Sequence, residues 1–134
     1  MPLVIWNDSL AIGIPEIDHQ HKQLIEQLNA LVDAMHTNRG KEEINRIVQF
    51  LDLYVGQHFY FEERCMHRYK CPVASDNEAA HSKFMKTLVE VKDELRKNGS
   101  SLSLAIKVNE QLLDWFVNHI KKIDRELKPC MNKL

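Results

Sequence analysis

The chain has 134 residues, of which 44% are hydrophobic and 28% charged, and this length and composition suit one globular domain spanning residues 1–134. Its 18 basic and 19 acidic residues give a formal net charge of -1, which argues against nucleic acid as a partner because such surfaces carry a clustered basic excess. No stretch approaches the roughly 20 apolar residues of a membrane-spanning helix, so we expect no membrane partner.

The amino-terminal residues, MPLVIWNDSL, predict an irregular arm and lack the basic start and small-residue cleavage site of a signal peptide. We therefore expect a cytoplasmic protein. The three cysteines, Cys65, Cys71 and Cys130, do not have the spacing of a zinc ribbon. Reduced thiols are the first expectation in that compartment, and a bridge between Cys71 and Cys130 is the alternative.

Helical periodicity begins after the arm. Apolar residues at positions 17, 24, 25, 28, 31, 32 and 35 predict a first helix. Those at positions 44, 47, 48, 51, 54, 55 and 59 predict a second helix, from Glu42 to near Tyr69. Gly56 falls inside this second helix, where glycine is less favourable than alanine. Close packing against a neighbouring helix is the preferred explanation for Gly56, and room beside a functional site is the other.

Pro72 marks the end of the second helix, and Ser75 or Asp76 is the predicted cap of a third. A fourth helix is predicted from Leu102 to about Ile123, with Pro129 closing it. No segment shows the alternating pattern of a β-strand. Four helices of similar length joined by short turns predict an all-α protein, an up-down-up-down antiparallel four-helix bundle.

Each predicted helix carries at least one polar residue on its apolar face. These residues are His21 in the first helix, His58 and Glu62 in the second, His81 in the third and His119 in the fourth. Antiparallel packing brings them all to the same end of the bundle. A buried imidazole or carboxylate costs several kcal/mol unless it is paired or bound to metal. The pattern therefore predicts a metal site more readily than a set of ordinary core histidines.

Asp124 is a weaker candidate for the same site. It follows His119 by five residues, an offset that turns it away from the His119 face of a straight α-helix. A π-helical widening or a frayed helix end would bring it back, and a solvent-facing aspartate is the alternative.

Imidazoles and carboxylates without sulfur suit iron, zinc or manganese. Four imidazoles and two carboxylates exceed the needs of one tetrahedral zinc and fit two metals that share carboxylate bridges. The aromatic residues that flank the candidate ligands would exclude water, and they also serve as ordinary core; they are Phe59, Phe61, Trp115 and Phe116. Successive residues of an α-helix are about 100° apart around its axis, so Glu63 points away from Glu62 and is expected to be a solvated neighbour. His19, His36 and His67 fall off the apolar faces and are expected at the surface.

The segments IPEIDHQHKQL, HFYFEERCM and WFVNHIKKID, together with Trp6 and His81, resemble the hemerythrin family, specifically its single-domain bacterial members. The resemblance implies a four-helix bundle that holds two iron ions (Fe²⁺/Fe³⁺), joined by a bridging oxo or hydroxo group, with O2 as their ligand. It implies that one iron is held by His21 and His58 and takes O2, and that the second is held by His81 and His119. Both carboxylates, Glu62 and Asp124, would bridge the two irons, and an O2 pocket would involve Trp115, Phe116 and Phe59.

The sequence departs from the family pattern at the second iron. Asn77 stands four residues before His81, where the family has a histidine ligand. An amide oxygen is a poorer iron ligand than imidazole, so we expect a water or an open position there, with weaker metal retention or faster autoxidation. A second departure is Phe116, three residues before His119, where the family usually has leucine.

Three functions are compatible with these features. The first is O2 binding for transport, storage, delivery or sensing. The second is a diiron enzyme with peroxidase-like or oxidase-like reactivity towards peroxide, O2 or NO. The third is a signalling or interaction bundle whose metal site is impaired. A monomer or a weak oligomer is expected in each case.

Overall fold

The computed structural model describes residues 4–37 and 41–132, and it is an antiparallel four-helix bundle, as predicted. Three long helices, α1 (Pro15–His36), α2 (Lys41–Arg68) and α3 (Ala74–Asn98), are followed by a composite fourth one. That fourth rod consists of α4 (Leu102–Val108), a π-helical segment (Asn109–Asp114) and α5 (Trp115–Lys122). A short helix, α6 (Leu127–Asn132), ends the described chain.

The apolar faces of the four rods meet in one core. Helix α1 packs against α2 and α4, and α3 packs against α2 and the π-helical segment. Fully buried residues from every rod fill the centre, among them Leu28, Leu51, Leu88 and Leu112. Each such side chain contributes about 1.5–3 kcal/mol through burial, which favours the bundle over isolated helices. None of the described helices combines the length and the apolarity needed to cross a membrane.

The amino-terminal arm is tied to α1 by polar contacts. The Asn29 side chain exchanges two hydrogen bonds with the backbone of Val4, at 3.1 and 2.6 Å. Asp18, in the first turn of α1, accepts the backbone N–H groups of Ile12 and Gly13 at 2.7 and 3.2 Å. A short 3-10 turn, Asp8–Leu10, interrupts the otherwise irregular arm. These contacts fix the entry of α1, the helix that carries His21.

Backbone hydrogen bonds set the end of α2 and the start of α3. Lys70 adopts a left-handed conformation (φ 52°) and donates to the His67 carbonyl, while the Cys71 N–H donates to Met66 O at 2.9 Å. This pair of bonds is the Schellman arrangement, so α2 ends before the proline is reached. The predicted caps Ser75 and Asp76 are wrong. Helix α3 begins earlier, at Ala74, because that residue's N–H is already satisfied by the Cys71 carbonyl.

The fourth rod ends at Lys122, close to the predicted Ile123, but Pro129 does not close it as predicted. After α5 the chain makes a 3-10 turn, Asp124–Glu126, and continues into α6, which contains the proline. Proline is tolerated here because the first-turn N–H groups of a helix have no acceptor within that helix. The expectation of three reduced thiols is also wrong, since Cys130 of α6 forms a disulfide with Cys71. The half-buried Cys65 is free.

Gly56 is not explained by close packing. A Cβ atom placed on Gly56 would meet no atom within 4 Å. The glycine instead borders a surface groove between α2 and α3, whose other lining residues include Glu63, His81 and Met85. Of the two explanations, room beside the functional site is the one that agrees with this position.

Candidate metal centre

All six predicted ligands lie together at one end of the bundle, and all are buried. They come from α1 (His21), α2 (His58 and Glu62), α3 (His81), α5 (His119) and the turn that follows α5 (Asp124). The helical periodicity places each histidine on the core-facing side of its helix, and antiparallel packing sets them at the same level. The structure therefore brings together every residue that the sequence nominated as a ligand.

Glu62 occupies the centre of this cluster. Its Oε2 atom lies 3.4 Å from His21 Nε2 and 3.5 Å from His58 Nε2. Its Oε1 atom lies 3.2 Å from His81 Nε2. The two carboxylate oxygens thus face different histidines, which is the arrangement that a carboxylate bridging two cations requires.

Asp124 divides its oxygens in the same way. Oδ2 lies 3.1 Å from His21 Nε2, and Oδ1 lies 3.1 Å from His119 Nε2. The residue reaches this position because α5 ends at Lys122 and the chain turns through Ile123 (φ -111°) into the 3-10 turn. Of the two mechanisms considered, the altered helix end is the one that applies, since the π-helical segment lies upstream of both residues. The solvent-facing alternative for Asp124 is wrong.

The donors form two groups that share both carboxylates. The first group contains His21 and His58, and the second group contains His81 and His119. Glu62 and Asp124 complete both groups. Within each group the candidate ligand atoms all lie within 4.8 Å of one another.

The unpaired polar atoms of this region test whether metals fit. Across residues 4–37 and 41–132, the buried side-chain nitrogen and oxygen atoms without a hydrogen-bond partner belong to His21, His58, Glu62, Asn77 and Asp124. Proteins rarely leave such atoms unpaired. Nitrogen and carboxylate oxygen donors converging in this way suit iron, zinc or manganese, so the residues present fit a pair of metal ions.

Two residues outside the nominated set orient the histidine rings. Gln20 Oε1 lies 2.6 Å from His58 Nδ1, and Glu63 Oε2 lies 2.9 Å from His81 Nδ1. Each contact holds Nδ1 outward and leaves Nε2 for the centre, as outer partners of metal-bound histidines commonly do. The expectation that Glu63 is merely a solvated neighbour is therefore wrong. The sequence did contain a hint of this role. Because Glu62 and His81 were predicted at the same level of the bundle, the next residue of α2, Glu63, could be expected beside the same ring.

Asn77 lies at the second group of donors. It is fully buried, and its Oδ1 atom accepts a hydrogen bond from His119 Nε2 at 2.8 Å. Its Nδ2 atom has no partner among the described residues. The amide thus stands within reach of the group formed with His81 and His119.

The three aromatic residues assigned to an O2 pocket divide between the two groups. The Phe116 ring lies 5.4 Å from that of His21 and 6.3 Å from that of His58. Phe59 stacks on His81 at 3.7 Å, and Trp115 stacks on His119 at 4.8 Å. Phe116 is therefore the apolar neighbour of the first group, whereas the stacked rings cover the second.

The metal-free cluster has strongly perturbed protonation. Burial lowers the pKa of His21, but the adjacent carboxylates of Asp124 and Glu62 outweigh burial and raise it to about 9. Burial lowers the pKa of His58 to about 3, with neighbouring histidines adding to the effect. Burial alone would raise the pKa of Asp124, but His119 and His21 hold it well below its usual range. A protonated His21 between two carboxylates supplies, in the metal-free protein, positive charge that a metal cation would otherwise supply.

These shifts predict the pH dependence of the metal-free protein. Because the folded-state pKa of His21 is about 9 against 6.5, its contribution is complete below pH 6.5 and is lost as the pH rises through 9. The depressed pKa of His58 acts in the opposite sense, and its contribution is lost as the pH falls from 6.5 towards 3. We expect the free energy of unfolding to be largest near pH 6.5 and to fall by roughly 3 kcal/mol by pH 9.

Urea unfolding of chelator-treated protein at a series of pH values measures this curve. The variant His21→Gln serves as the control, since it should show a smaller decline between pH 6.5 and 9. The remainder comes from His81, where burial lowers the pKa but the neighbouring carboxylates of Glu62 and Glu63 outweigh burial and raise it. A stability that stays constant or rises over that interval in the unaltered protein would contradict the prediction.

The histidines left out of the cluster are at the surface, as expected. His19, His36 and His67 are exposed. His67 pairs with Glu78 of α3 across the α2–α3 seam.

Comparisons with known proteins agree with this geometry. Residues 12–131 match the family model described as the hemerythrin HHE cation binding domain. The chain is similar to a bacteriohemerythrin of Stenotrophomonas maltophilia, with 31% identity over 93% of this chain and 79% of the relative. It is 26% identical to a bacteriohemerythrin of Methylococcus capsulatus over 98% of this chain and 99% of the relative. A crystal structure of wild-type hemerythrin superposes with a TM-score of 0.82 at 26% identity, covering 97% of this chain and 98% of that one.

Proposed function

Since the chain belongs to the hemerythrin HHE cation-binding family, we propose that it is a non-haem diiron protein that binds O2 reversibly, for storage, delivery or sensing. One observation carries the proposal: two groups of four buried donors share the same two carboxylates. The family match over residues 12–131 also supports treating the chain as one hemerythrin-like domain.

In this proposal, His21 and His58 would hold one iron, and His81 and His119 would hold the other. Glu62 and Asp124 would be shared by the two, which agrees with the way each carboxylate turns one oxygen to each side. When bound, a ferrous pair supplies the electrons that reversible O2 binding draws on.

The surrounding residues keep the cluster ordered and dry. Gln20 and Glu63 hold the Nδ1 atoms of His58 and His81, so that each Nε2 is directed inward. The buried Phe116 ring gives the first group an apolar wall against the rings of both its histidines. An apolar wall of this kind excludes water and favours a neutral diatomic ligand over a hydrated ion.

A second candidate function is peroxidase-like or oxidase-like turnover. Asn77 is the observation that favours it, because the second group has one imidazole fewer than the family pattern and an unpaired amide nitrogen beside it. An open position on the second iron would let peroxide, O2 or NO reach the metal directly as reactants.

The visible spectrum of iron-loaded, reduced protein distinguishes these functions as O2 is admitted and then removed. We expect a charge-transfer band that appears with O2 and disappears on its removal. Permanent conversion to the ferric spectrum would replace O2 carriage with turnover. An iron content well below two per chain in a folded protein would instead indicate an interaction bundle with an impaired site.

The variant Asn77→His tests whether residue 77 limits reversibility. A third imidazole on the second iron should slow irreversible oxidation by about tenfold or more, since even outer partners of metal ligands change metal affinity by about 10–100-fold. The decay rate of the O2-dependent band measures this. An unchanged rate in a variant that retains two irons would show that residue 77 does not control autoxidation.

A further inference from the structure

The two groups of donors have different surroundings, although their protein ligands are alike. Each offers two imidazoles and two carboxylate oxygens. Non-haem iron accepts up to about six ligands, so each metal retains room for a bound small molecule once a bridging group is counted. Phe116 adjoins the first group, whereas Asn77 adjoins the second.

Asn77 lies where its side chain can donate a hydrogen bond into the second group. The side chain is fully buried, and in the metal-free protein its Oδ1 atom accepts a hydrogen bond from His119 Nε2 at 2.8 Å. When Nε2 is a metal ligand it carries no hydrogen, so the amide loses this donor and needs new partners beside the metal. The Nδ2 atom, with two hydrogens to donate, has no acceptor among the residues that the structure describes. Buried amide donors are almost always paired, so the unpaired nitrogen indicates a missing acceptor.

We infer that the second metal binds a small inorganic anion, and that Asn77 Nδ2 donates a hydrogen bond to it. The inference rests on the proposed diiron function and extends it, because it assigns each metal its own exogenous ligand. The position beside Phe116 can take a neutral diatomic molecule or an anion only through the metal, since its wall offers no hydrogen bond. The position beside Asn77 suits an anion, since a hydrogen bond to a charged acceptor is stronger than one to a neutral acceptor.

The groove beside Gly56 is the surface feature nearest to the second group. Its lining includes His81 of the second group and Glu63, the partner of that histidine.

Azide titration of the diferric protein tests the inference, after metal analysis has established two irons per chain. Calorimetry should show two azide ions bound per chain in the unaltered protein and one in Asn77→His, where the added imidazole occupies the second position. In Asn77→Leu both ions should bind, but the second should bind about tenfold more weakly or worse, because its hydrogen-bond donor is gone.

Asn118→Leu is the matched control, since it makes the same change at an exposed residue next to His119 and should titrate like the unaltered protein. A single azide in the unaltered protein, two in Asn77→His, or unchanged affinities in Asn77→Leu would overturn the inference and leave the diiron function standing. An iron content below two per chain in the unaltered protein would overturn both. If Asn77→Leu fails to fold, as judged by circular dichroism, the azide count in Asn77→His decides alone.

Discussion

Replacing Glu62 with glutamine is expected to reduce the metal content below one ion per chain. Glu62 faces His21, His58 and His81 at 3.2–3.5 Å, and its two oxygens are divided between the two groups of donors. Glutamine keeps the shape of the side chain but removes the negative charge from both groups at once. Since partners one shell further out already change metal affinity by 10–100-fold, loss of a shared ligand should lower it by at least about 100-fold.

Glu63→Gln is the matched comparison for this experiment. It makes the same chemical change at the next residue of α2, where the carboxylate contacts only the outer nitrogen of His81. Metal analysis after dialysis against a weak chelator should show near-complete loss from Glu62→Gln and partial loss, from the second group, in Glu63→Gln. Equal retention in the two variants would refute the assignment of Glu62 as the shared ligand.

The part of the site that sequence predicted is the part that helical periodicity controls. His21, His58, His81 and His119 each continue an apolar series with spacings of three and four residues, so burial of that series also buries the histidine. Short turns force neighbouring helices to run antiparallel, and this sets the four rings at one level. Both steps depend on repeated local geometry, which a single sequence displays.

The remaining features depend on single backbone angles or on contacts between helices. Asp124 reaches the cluster because the chain leaves α-helical geometry at Ile123, and no spacing rule gives that angle. Helix α2 ends at a left-handed lysine, a position where glycine is the usual signal. The orienting role of Gln20 needs a partner 38 residues away in another helix. Such features are settled by packing between elements, which a pattern within one element does not encode.

The disulfide is a further example, and its removal has a large expected effect. The bridge joins Cys71, in the turn after α2, to Cys130 of α6, and closes a loop with a sequence separation of 59 residues. Loop-closure entropy for this separation corresponds to about 4 kcal/mol. We therefore expect the double variant Cys71→Ala/Cys130→Ala to lose about that much free energy of unfolding, measured by urea titration of the metal-free protein.

The same change should also weaken metal binding, because the bridge anchors the segment that positions Asp124. That residue lies between α5 and α6, and α6 is held to the rest of the bundle by the disulfide and by burial of Leu127. Without the bridge, the carboxylate has a less constrained backbone on its carboxyl-terminal side, so metal should transfer to a chelator faster than from the unaltered protein.

Cys65→Ala is the control for the disulfide, since it removes the free, half-buried thiol and should change stability by less than about 1 kcal/mol. A dithiol reductant, which becomes a cyclic disulfide as Cys71 and Cys130 gain two electrons and two protons, should reproduce the double variant in unaltered protein. Loss of stability with unchanged metal release would mean that packing around Leu127 alone positions Asp124. Faster metal release with an unchanged free energy of unfolding would refute the loop-closure account of the disulfide. In that case the bridge would not be what restrains the unfolded chain.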